Sequence, residues 1–119
     1  MNMLLIHATH AREDAERATL PFIVANVAAS ADQRVVVVLT IDGVWLATRS
    51  YADSIHKEGF PALADVMRSF VDNGGEVWAC GTCAKPRGIG EGDLIPGAKI
   101  VTAAKVVECL AGGANGLSF

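Results

Sequence analysis

Unbroken apolar runs alternate along this chain with segments whose apolar residues recur every three or four positions. Residues 3–6 and 35–39 are apolar runs without polar alternation, which is typical of strands buried on both faces of a parallel sheet. Between these runs, one apolar stripe follows helical spacing, and its members are Ala15, Ala18, Phe22, Ala25 and Ala29. The pattern predicts a strand, a helix and a second strand.

The predicted first helix contains a proline, Pro21. Proline has no backbone N–H, and its ring crowds the carbonyl group four residues earlier. We therefore expect a kink or break at Pro21 and a first helix that consists of two pieces. The acidic residues Glu13, Asp14 and Glu16 are well placed for the first turns of this helix, where they meet the positive end of the helix dipole.

The same two patterns continue through the rest of the chain. A second helix is predicted to begin at Pro61 and to end at residues 73–75, which read Asn-Gly-Gly. Strands are predicted at residues 76–79, 98–101 and 116–119, with another helix between the last two. The apolar faces of these two helices are formed by Leu63, Val66, Met67 and Phe70 and by Ala103, Val106, Val107 and Leu110.

Alternating strands and helices predict an α/β fold with a mainly parallel five-stranded sheet and right-handed crossovers. A chain of 119 residues, of which 51% are hydrophobic, is long enough for one compact core and too short for two ordinary domains. We therefore expect residues 1–119 to form a single domain. The mean hydropathy of +0.35 leaves more apolar surface than one small core hides, which favours a homo-oligomer.

Charge and hydropathy exclude several classes of function. A formal charge of -3 provides no basic surface to replace the counterions of nucleic acid. No apolar run approaches the ~20 residues that cross a bilayer, and residues 1–6 lack the basic start and cleavage site of a secretory signal. We therefore expect a cytoplasmic protein that binds neither nucleic acid nor membrane.

The most informative motif is Cys80-Gly81-Thr82-Cys83, which directly follows a predicted strand and precedes Lys85 and Arg87. The thiolate is the reactive form of cysteine, and nearby cations or helix N-terminal amides stabilise it. Three cysteines in a chain that we expect to be cytoplasmic also argue against a disulfide scaffold. This loop therefore indicates thiol or sulfur chemistry.

Ligands of open α/β sheets bind beyond the carboxyl ends of the strands. The loops predicted after the first and third strands carry His7 and His10 and the pair Cys80 and Cys83. In a sheet of order 2-1-3-4-5 these two loops are neighbours. That order would collect two imidazoles, two thiols, Lys85 and Arg87 at one edge of the sheet.

Spacing alone leaves several interpretations of the thiol pair open. Both cysteines could be small buried packing residues, or a dithiol in which Cys83 resolves a mixed disulfide on Cys80. Four ligands of the right type for zinc are present in His7, His10, Cys80 and Cys83, although two paired-cysteine knuckles would be the stronger signal. Arg87 has a structural alternative as an anchor that donates to carboxylates, and both histidines have structural alternatives as loop caps.

One family shares the spacing of this loop. Cys80 is followed seven and eight positions later by Arg87-Gly88 and then by Ile89, and this arrangement resembles the active loop of the DsrE/TusD/YchN-like sulfurtransferases. Three further segments resemble the family in the same order along the chain. They are residues 14–25 with the Pro21-Phe22 step, residues 42–44, and residues 94–99 with an L-x-x-G-A pattern.

The resemblance implies a three-layer α/β/α sandwich of flavodoxin-like order 2-1-3-4-5, subunits that form homotrimers or homohexamers, and an active cysteine that carries sulfane sulfur as a persulfide. Cys80 is the matching position. The charge of Lys85 and Arg87, the backbone freedom of Gly88 and the imidazoles of His7 and His10 make these residues candidate binding or activating residues. The implied partners are sulfur donor and acceptor proteins, and we expect no cofactor and no metal. Cys83 departs from better-characterised members, because it could attack a Cys80 persulfide, expel sulfide and leave a disulfide. A redox or sensing protein and a non-catalytic binding subunit are the alternatives.

Overall fold

The computed structural model describes residues 3–119 as alternating strands and helices. The strands are β1 (Met3–Ala8), β2 (Arg34–Leu39), β3 (Glu76–Cys80), β4 (Ala98–Val101) and β5 (Asn115–Ser118). The α-helices are α1 (Ala15–Ser30), α2 (Leu63–Asp72), the single turn α3 (Gly81–Ala84) and α4 (Ala103–Ala111). Short 3₁₀ turns occupy Ile41–Ala47 and Tyr51–Ser54 in the long connection between β2 and α2.

All pairs in the five-stranded sheet are parallel, and the strand order is β4-β3-β2-β1-β5. The α/β/α prediction is confirmed, but the order differs from 2-1-3-4-5, which placed the first and third strands side by side. Here β2 separates them. The physical reason lies in β2 itself, since its residues from Val35 to Leu39 are all buried, and the most continuously apolar strand takes the centre of the sheet, where both faces are covered.

Helix α1 runs without interruption from Ala15 to Ser30 and contains Pro21, so the prediction of two pieces was wrong. The helix begins at Asp14, whose side chain accepts a hydrogen bond from the Arg17 amide. The missing hydrogen bond at Pro21 is outweighed by packing, because the predicted apolar stripe is buried against the sheet. Its fully or nearly buried members are Ala18, Phe22, Ala25 and Ala29.

Helices α1 and α2 cover one face of the sheet and enclose the main hydrophobic core. The ring of Phe22 on α1 meets the ring of Phe70 on α2 edge to face, with centroids 5.9 Å apart. This geometry is one of the two preferred by aromatic pairs. The predicted apolar face of α2 is confirmed, and its buried residues are Leu63, Val66, Met67 and Phe70.

Helix α4 lies on the opposite face of the sheet. The chain moves from β1 to β4 in one direction and then returns across the whole sheet to β5, so a right-handed return crossover must lie on the other face. Helix α4 is a single helix of nine residues with a diameter of about 10–12 Å including side chains, whereas four strand spacings span about 19 Å. One short helix cannot cover this face. Consequently, no residue of α4 is buried.

Gly43 lets the chain after β2 pass close to the end of β1. A Cβ atom at this position would lie 2.8 Å from the carbonyl oxygen of Ala8, which is closer than packed atoms approach. The Gly43 amide donates to the carbonyl groups of Thr9 and Thr40. These bonds hold the 3₁₀ turn of Ile41–Ala47 against the carboxyl ends of β1 and β2.

Among residues 3–119, no helix has the length and hydropathy to cross a membrane.

Candidate active site

Cys80 is the last residue of β3 and lies directly before α3. It is paired in register with Val101 of β4, and alternation along β3 places its side chain on the α4 face of the sheet, together with Trp78. The chain is close to β4 here, because a Cβ atom on Gly81 would lie 3.3 Å from the Val101 carbonyl oxygen, a tight contact that glycine avoids. The thiol is therefore fixed at a carboxyl strand end, with a relative exposure of 8%.

A cavity of about 310 Å³ lies between the sheet and α4, and Cys80 contributes to its wall. Most of the wall is apolar. The polar side chains stand at the carboxyl ends of three further strands, where ligands of parallel sheets bind. The lining residues are Leu5, His7, Val38, Thr40, Cys80, Ala103, Val106, Val107, Leu110, Gly116, Leu117 and Ser118.

Three of these polar residues form a hydrogen-bonded row. His7 Nε2 lies 2.6 Å from Thr40 Oγ1, and His7 Nδ1 lies 3.4 Å from Ser118 Oγ. The sequence placed His7 in the loop after the first strand, but β1 continues to Ala8, so His7 is a strand residue whose side chain faces the cavity. The row therefore joins the ends of β2, β1 and β5 on the side of Cys80.

Cys83 occupies a different environment from Cys80. It lies in α3, is partly buried and packs against the main core on the α1 and α2 side. It does not line the cavity that Cys80 lines. Both thiols are free. Cys109, the remaining cysteine, packs from α4 against the small core that includes Trp78.

The cationic residues of the loop have separate roles. Arg87 donates from Nε and Nη2 to Asp42 Oδ1 at 3.2 and 2.9 Å, and from Nη1 to the Cys83 carbonyl at 3.0 Å. Its anchoring role, one of the two alternatives for this residue, is thus realised in the geometry. Lys85 is exposed. Gly88 ends the short 3₁₀ turn of Lys85–Arg87 with φ = 71°, a left-handed conformation that glycine adopts without strain.

Replacing Asp42 with Asn is expected to loosen the Cys80 loop, because Arg87 loses its charged partner while the side-chain shape is kept. The pair is partly exposed, so the loss of global stability should be at the low end of about 0.2–1 kcal/mol. Hydrogen exchange should show faster exchange of the Gly88 and Ile89 amides, which donate to Lys85 and Ala84.

A matched control for this loop is Asp65→Asn, which removes the carboxylate of the exposed Asp65–Arg68 pair on α2. This variant should leave exchange in the Cys80 loop unchanged. Equal exchange rates in the loop of Asp42→Asn and the wild type would show that the Arg87 anchor does not order it.

His10 lies outside the cavity. Its Nδ1 is 2.7 Å from Glu13 Oε2, and Glu13 Oε1 accepts from the Ala11 amide. Burial acts to raise the pKa of Glu13, but the hydrogen bonds from His10 and from the backbone amides of Ala11 and Glu13 outweigh it and lower that pKa. His10 thus belongs to the segment that precedes α1 and is not part of the site around Cys80.

The four ligands of the zinc alternative do not converge. His7 and Cys80 line the cavity, whereas His10 pairs with Glu13 and Cys83 packs against the main core. In the part of the chain that the structure describes, no group of three or more His, Cys, Asp and Glu side chains is arranged to hold a metal ion.

Sequence reasoning missed Thr40, Ser118 and Asp42 as site residues. A signal for Thr40 was present, since it is the first polar residue after the apolar run of β2, at a carboxyl strand end. The expected order 2-1-3-4-5 placed the loops after the first and third strands side by side. The carboxyl end of β2, which lies between them in the structure, was therefore not considered part of the site. Ser118 carries no comparable signal, and Asp42 was noted only as part of the family-like segment 42–44, because the roles of both residues depend on how distant segments pack.

Comparison with protein families gives a match over nearly the whole chain. The model of the DsrE/DsrF-like family matches residues 3–119. The uncharacterized protein MJ0760 of Methanocaldococcus jannaschii is 32% identical over 100 residues, which cover 84% of this chain and 36% of that protein. The chain thus spans about a third of that relative. The uncharacterized protein MK0008 of Methanopyrus kandleri is 29% identical over 87% of this chain and 83% of its own length.

Solved structures show the same fold. The ychN protein from E. coli superposes with a TM-score of 0.83 at 21% identity, with full coverage of both chains. The protein of unknown function MTH1491 from Methanobacterium thermoautotrophicum gives a TM-score of 0.75 at 20% identity, again with full coverage of both chains. The similarity to these structures establishes the fold, and the family match indicates common ancestry. The chain therefore belongs to the DsrE/DsrF-like family.

Proposed function

We propose that this protein is a sulfur-relay protein that carries sulfane sulfur as a persulfide on Cys80. The observation that carries the proposal is the position of Cys80, a thiol at a carboxyl strand end that faces a largely apolar cavity. Membership in the DsrE/DsrF-like family supports a role in sulfur relay. The loop spacing from Cys80 to Arg87-Gly88 matches that family's active loop at the same cysteine.

The transfer consists of two displacement steps. The Cys80 thiolate attacks the outer sulfur of a donor persulfide, R–S–SH. A bond forms between Cys80 Sγ and that sulfur, the donor S–S bond breaks, and the donor sulfur leaves with the electron pair as a thiolate. The product is Cys80–S–SH. An acceptor thiolate then attacks the outer sulfur, and Cys80 leaves as a thiolate. The two steps need no external oxidant or reductant.

The environment of the two thiols favours a carrier over a dithiol mechanism. A resolving Cys83 thiolate would have to attack Cys80 Sγ and expel hydrosulfide, leaving a disulfide. Cys83 packs on the main-core side of the sheet, whereas Cys80 faces the opposite cavity. Attack would therefore require a rearrangement of α3. A sulfur atom on Cys80 is separated from Cys83 by this arrangement.

The direct test is loading of the wild-type protein. The reduced protein is incubated with a low-molecular-weight persulfide such as glutathione persulfide, cleared of reagent and measured as an intact chain by mass spectrometry. One added sulfur atom is expected, and peptide mapping should locate it at Cys80. A chain that gains no sulfur, or that gains it at Cys109, would contradict the proposal.

We further propose that donor and acceptor proteins, or other copies of this chain in a homotrimer or homohexamer, cover the α4 face. The support is a pair of exposed apolar side chains of α4 beside the cavity, Val107 and Leu110, which are 63% and 45% exposed. Large apolar residues that cluster in this way are typical of interaction surfaces. The short helix α4 leaves this face incomplete.

The assembly is expected to respond to a charge on this face. Static light scattering of the wild type should give the mass of an oligomer, and Leu110→Lys should lower that mass, because a lysine would lose solvation in an apolar interface. Val27→Lys is the matched control, since Val27 is 68% exposed on α1, on the opposite side of the sheet. A wild type that scatters as a monomer at all concentrations would contradict the oligomer.

A further inference from the structure

Thr40 continues β2 at the level of Cys80. The last register pair between β2 and β3 is Leu39 with Ala79, and the backbone of Thr40 stays extended, with φ = −130° and ψ = 169°. One further step along each strand brings Thr40 opposite Cys80, on strands about 4.8 Å apart. Both side chains line the same cavity. A hydroxyl group therefore stands beside the thiol.

The hydrogen bonds of His7 determine whether the Thr40 hydroxyl can donate its proton to an acceptor in the cavity. A threonine hydroxyl has one proton to donate and two lone pairs to accept with. If His7 Nε2–H donates to Thr40 Oγ1 at 2.6 Å, the threonine proton stays available for another acceptor. Ser118 Oγ, 3.4 Å from His7 Nδ1, favours this tautomer when its hydroxyl donates to Nδ1. The row then runs from Ser118 through His7 to Thr40 and leaves the Thr40 hydroxyl proton available to an acceptor in the cavity.

A persulfide on Cys80 would place a suitable acceptor in this space. Its outer sulfur lies about 2.05 Å beyond Sγ, and the cavity of about 310 Å³ has room for it. The outer sulfur carries negative charge in the anionic form, and hydrogen bonds to charged acceptors are stronger than those between neutral groups. Because the apolar wall supplies few other donors, a single hydroxyl group at this position contributes a large share of the hydrogen bonding to the outer sulfur.

On the basis of the proposed function, we propose that the Thr40 hydroxyl binds the outer sulfur of the Cys80 persulfide and that His7 positions this hydroxyl. Thr40 is thus a binding residue for the carried sulfur. His7 acts through Thr40 by fixing the direction of its proton. The pair stabilises the loaded form relative to the free thiol and holds the sulfur until an acceptor arrives.

The test measures the loading equilibrium between Cys80 and glutathione persulfide, with glutathione as the product, by mass spectrometry of the intact chain. Thr40→Val removes the hydroxyl and keeps the shape of the side chain, and it should lower the equilibrium constant about tenfold, which corresponds to about 1.4 kcal/mol. Thr40→Ser keeps the hydroxyl and should restore the constant to within about threefold of the wild type, or about 0.7 kcal/mol. The thermal midpoint of each variant reports its folding.

A double-mutant cycle tests the positioning role of His7. His7→Leu should lower the equilibrium constant in the wild-type background and cause little further loss in Thr40→Val, because both changes remove the same interaction. Independent, additive losses would contradict action through Thr40. A purely structural role of His7 would lower the constant equally in both backgrounds.

The outcomes separate this inference from the proposed function. If the wild type takes up no sulfur, the proposed function is wrong and the role of Thr40 falls with it. If the wild type loads and Thr40→Val has the same equilibrium constant, the inference alone is wrong. If Thr40→Ser is as weak as Thr40→Val, the hydroxyl is not the sulfur-binding group, and the inference is again wrong.

Discussion

Cys80→Ser is expected to abolish sulfur loading completely. Serine keeps the size of the side chain at the end of β3, but its hydroxyl cannot form a persulfide. The replacement should fold normally, since Cys80 is a small residue whose side chain borders a cavity rather than a close-packed core. Mass spectrometry after incubation with glutathione persulfide should show no added sulfur in Cys80→Ser under conditions that load the wild type.

The matched control is Cys83→Ser, three residues along the same loop. Since Cys83 packs away from the cavity, this variant should load sulfur to the same extent as the wild type and retain it at least as long. A dithiol mechanism gives a different pattern, in which Cys83→Ser accumulates persulfide while the wild type releases sulfide and forms a disulfide. Sulfur bound to Cys80→Ser would exclude Cys80 as the carrier.

Phe22→Ala should cause the largest loss of stability among single replacements in α1. Phe22 is fully buried between the sheet and α2, and its ring meets Phe70 edge to face. Truncation of a buried phenylalanine costs about 3–5 kcal/mol, from the lost transfer free energy and from the cavity that remains. The free energy of unfolding in urea should fall by this amount. The loss is large relative to the total stability of about 5–15 kcal/mol that is typical of native proteins.

Val27→Ala is the matched control in the same helix. Val27 is exposed on α1, and surface replacements usually change stability by at most about 0.5 kcal/mol. Alanine also has a higher helix propensity than valine. A small gain or no change is therefore expected. If both variants lost similar amounts, α1 would not pack against the sheet through the face that contains Phe22.

The fold was largely predictable because each element carries its own local pattern. The buried residues of α2 were those with helical spacing, and the run of residues 35–39 formed the central strand. Strand order was not predictable in the same way, because it depends on which strands pair after the crossovers have packed. The continuity of α1 through Pro21 has a similar cause. Tertiary burial of Phe22 and its neighbours outweighs the local preference of one residue.

The residues of the candidate site show the same difference between local features, which the sequence reveals, and long-range contacts, which it does not. Cys80 was identified from its place after a strand and from its spacing to Arg87-Gly88, both of which are local features. Thr40 required the correct neighbour relation between β2 and β3, and Ser118 required the pairing of β5 with β1. The partner of Arg87 is Asp42, 45 residues earlier in the chain. No local pattern encodes such a contact.

The pairing of β5 with β1 has a consequence for folding kinetics. The contact between His7 and Ser118 joins residues 111 positions apart. Closing such a long loop costs a large amount of chain entropy before the stabilising contacts form. The strands from β1 to β4 can assemble from neighbours in sequence, whereas β5 must dock across the whole domain. Until it docks, β1 is an unprotected edge that can pair with another chain. Refolding at high protein concentration is therefore expected to favour aggregation through β1.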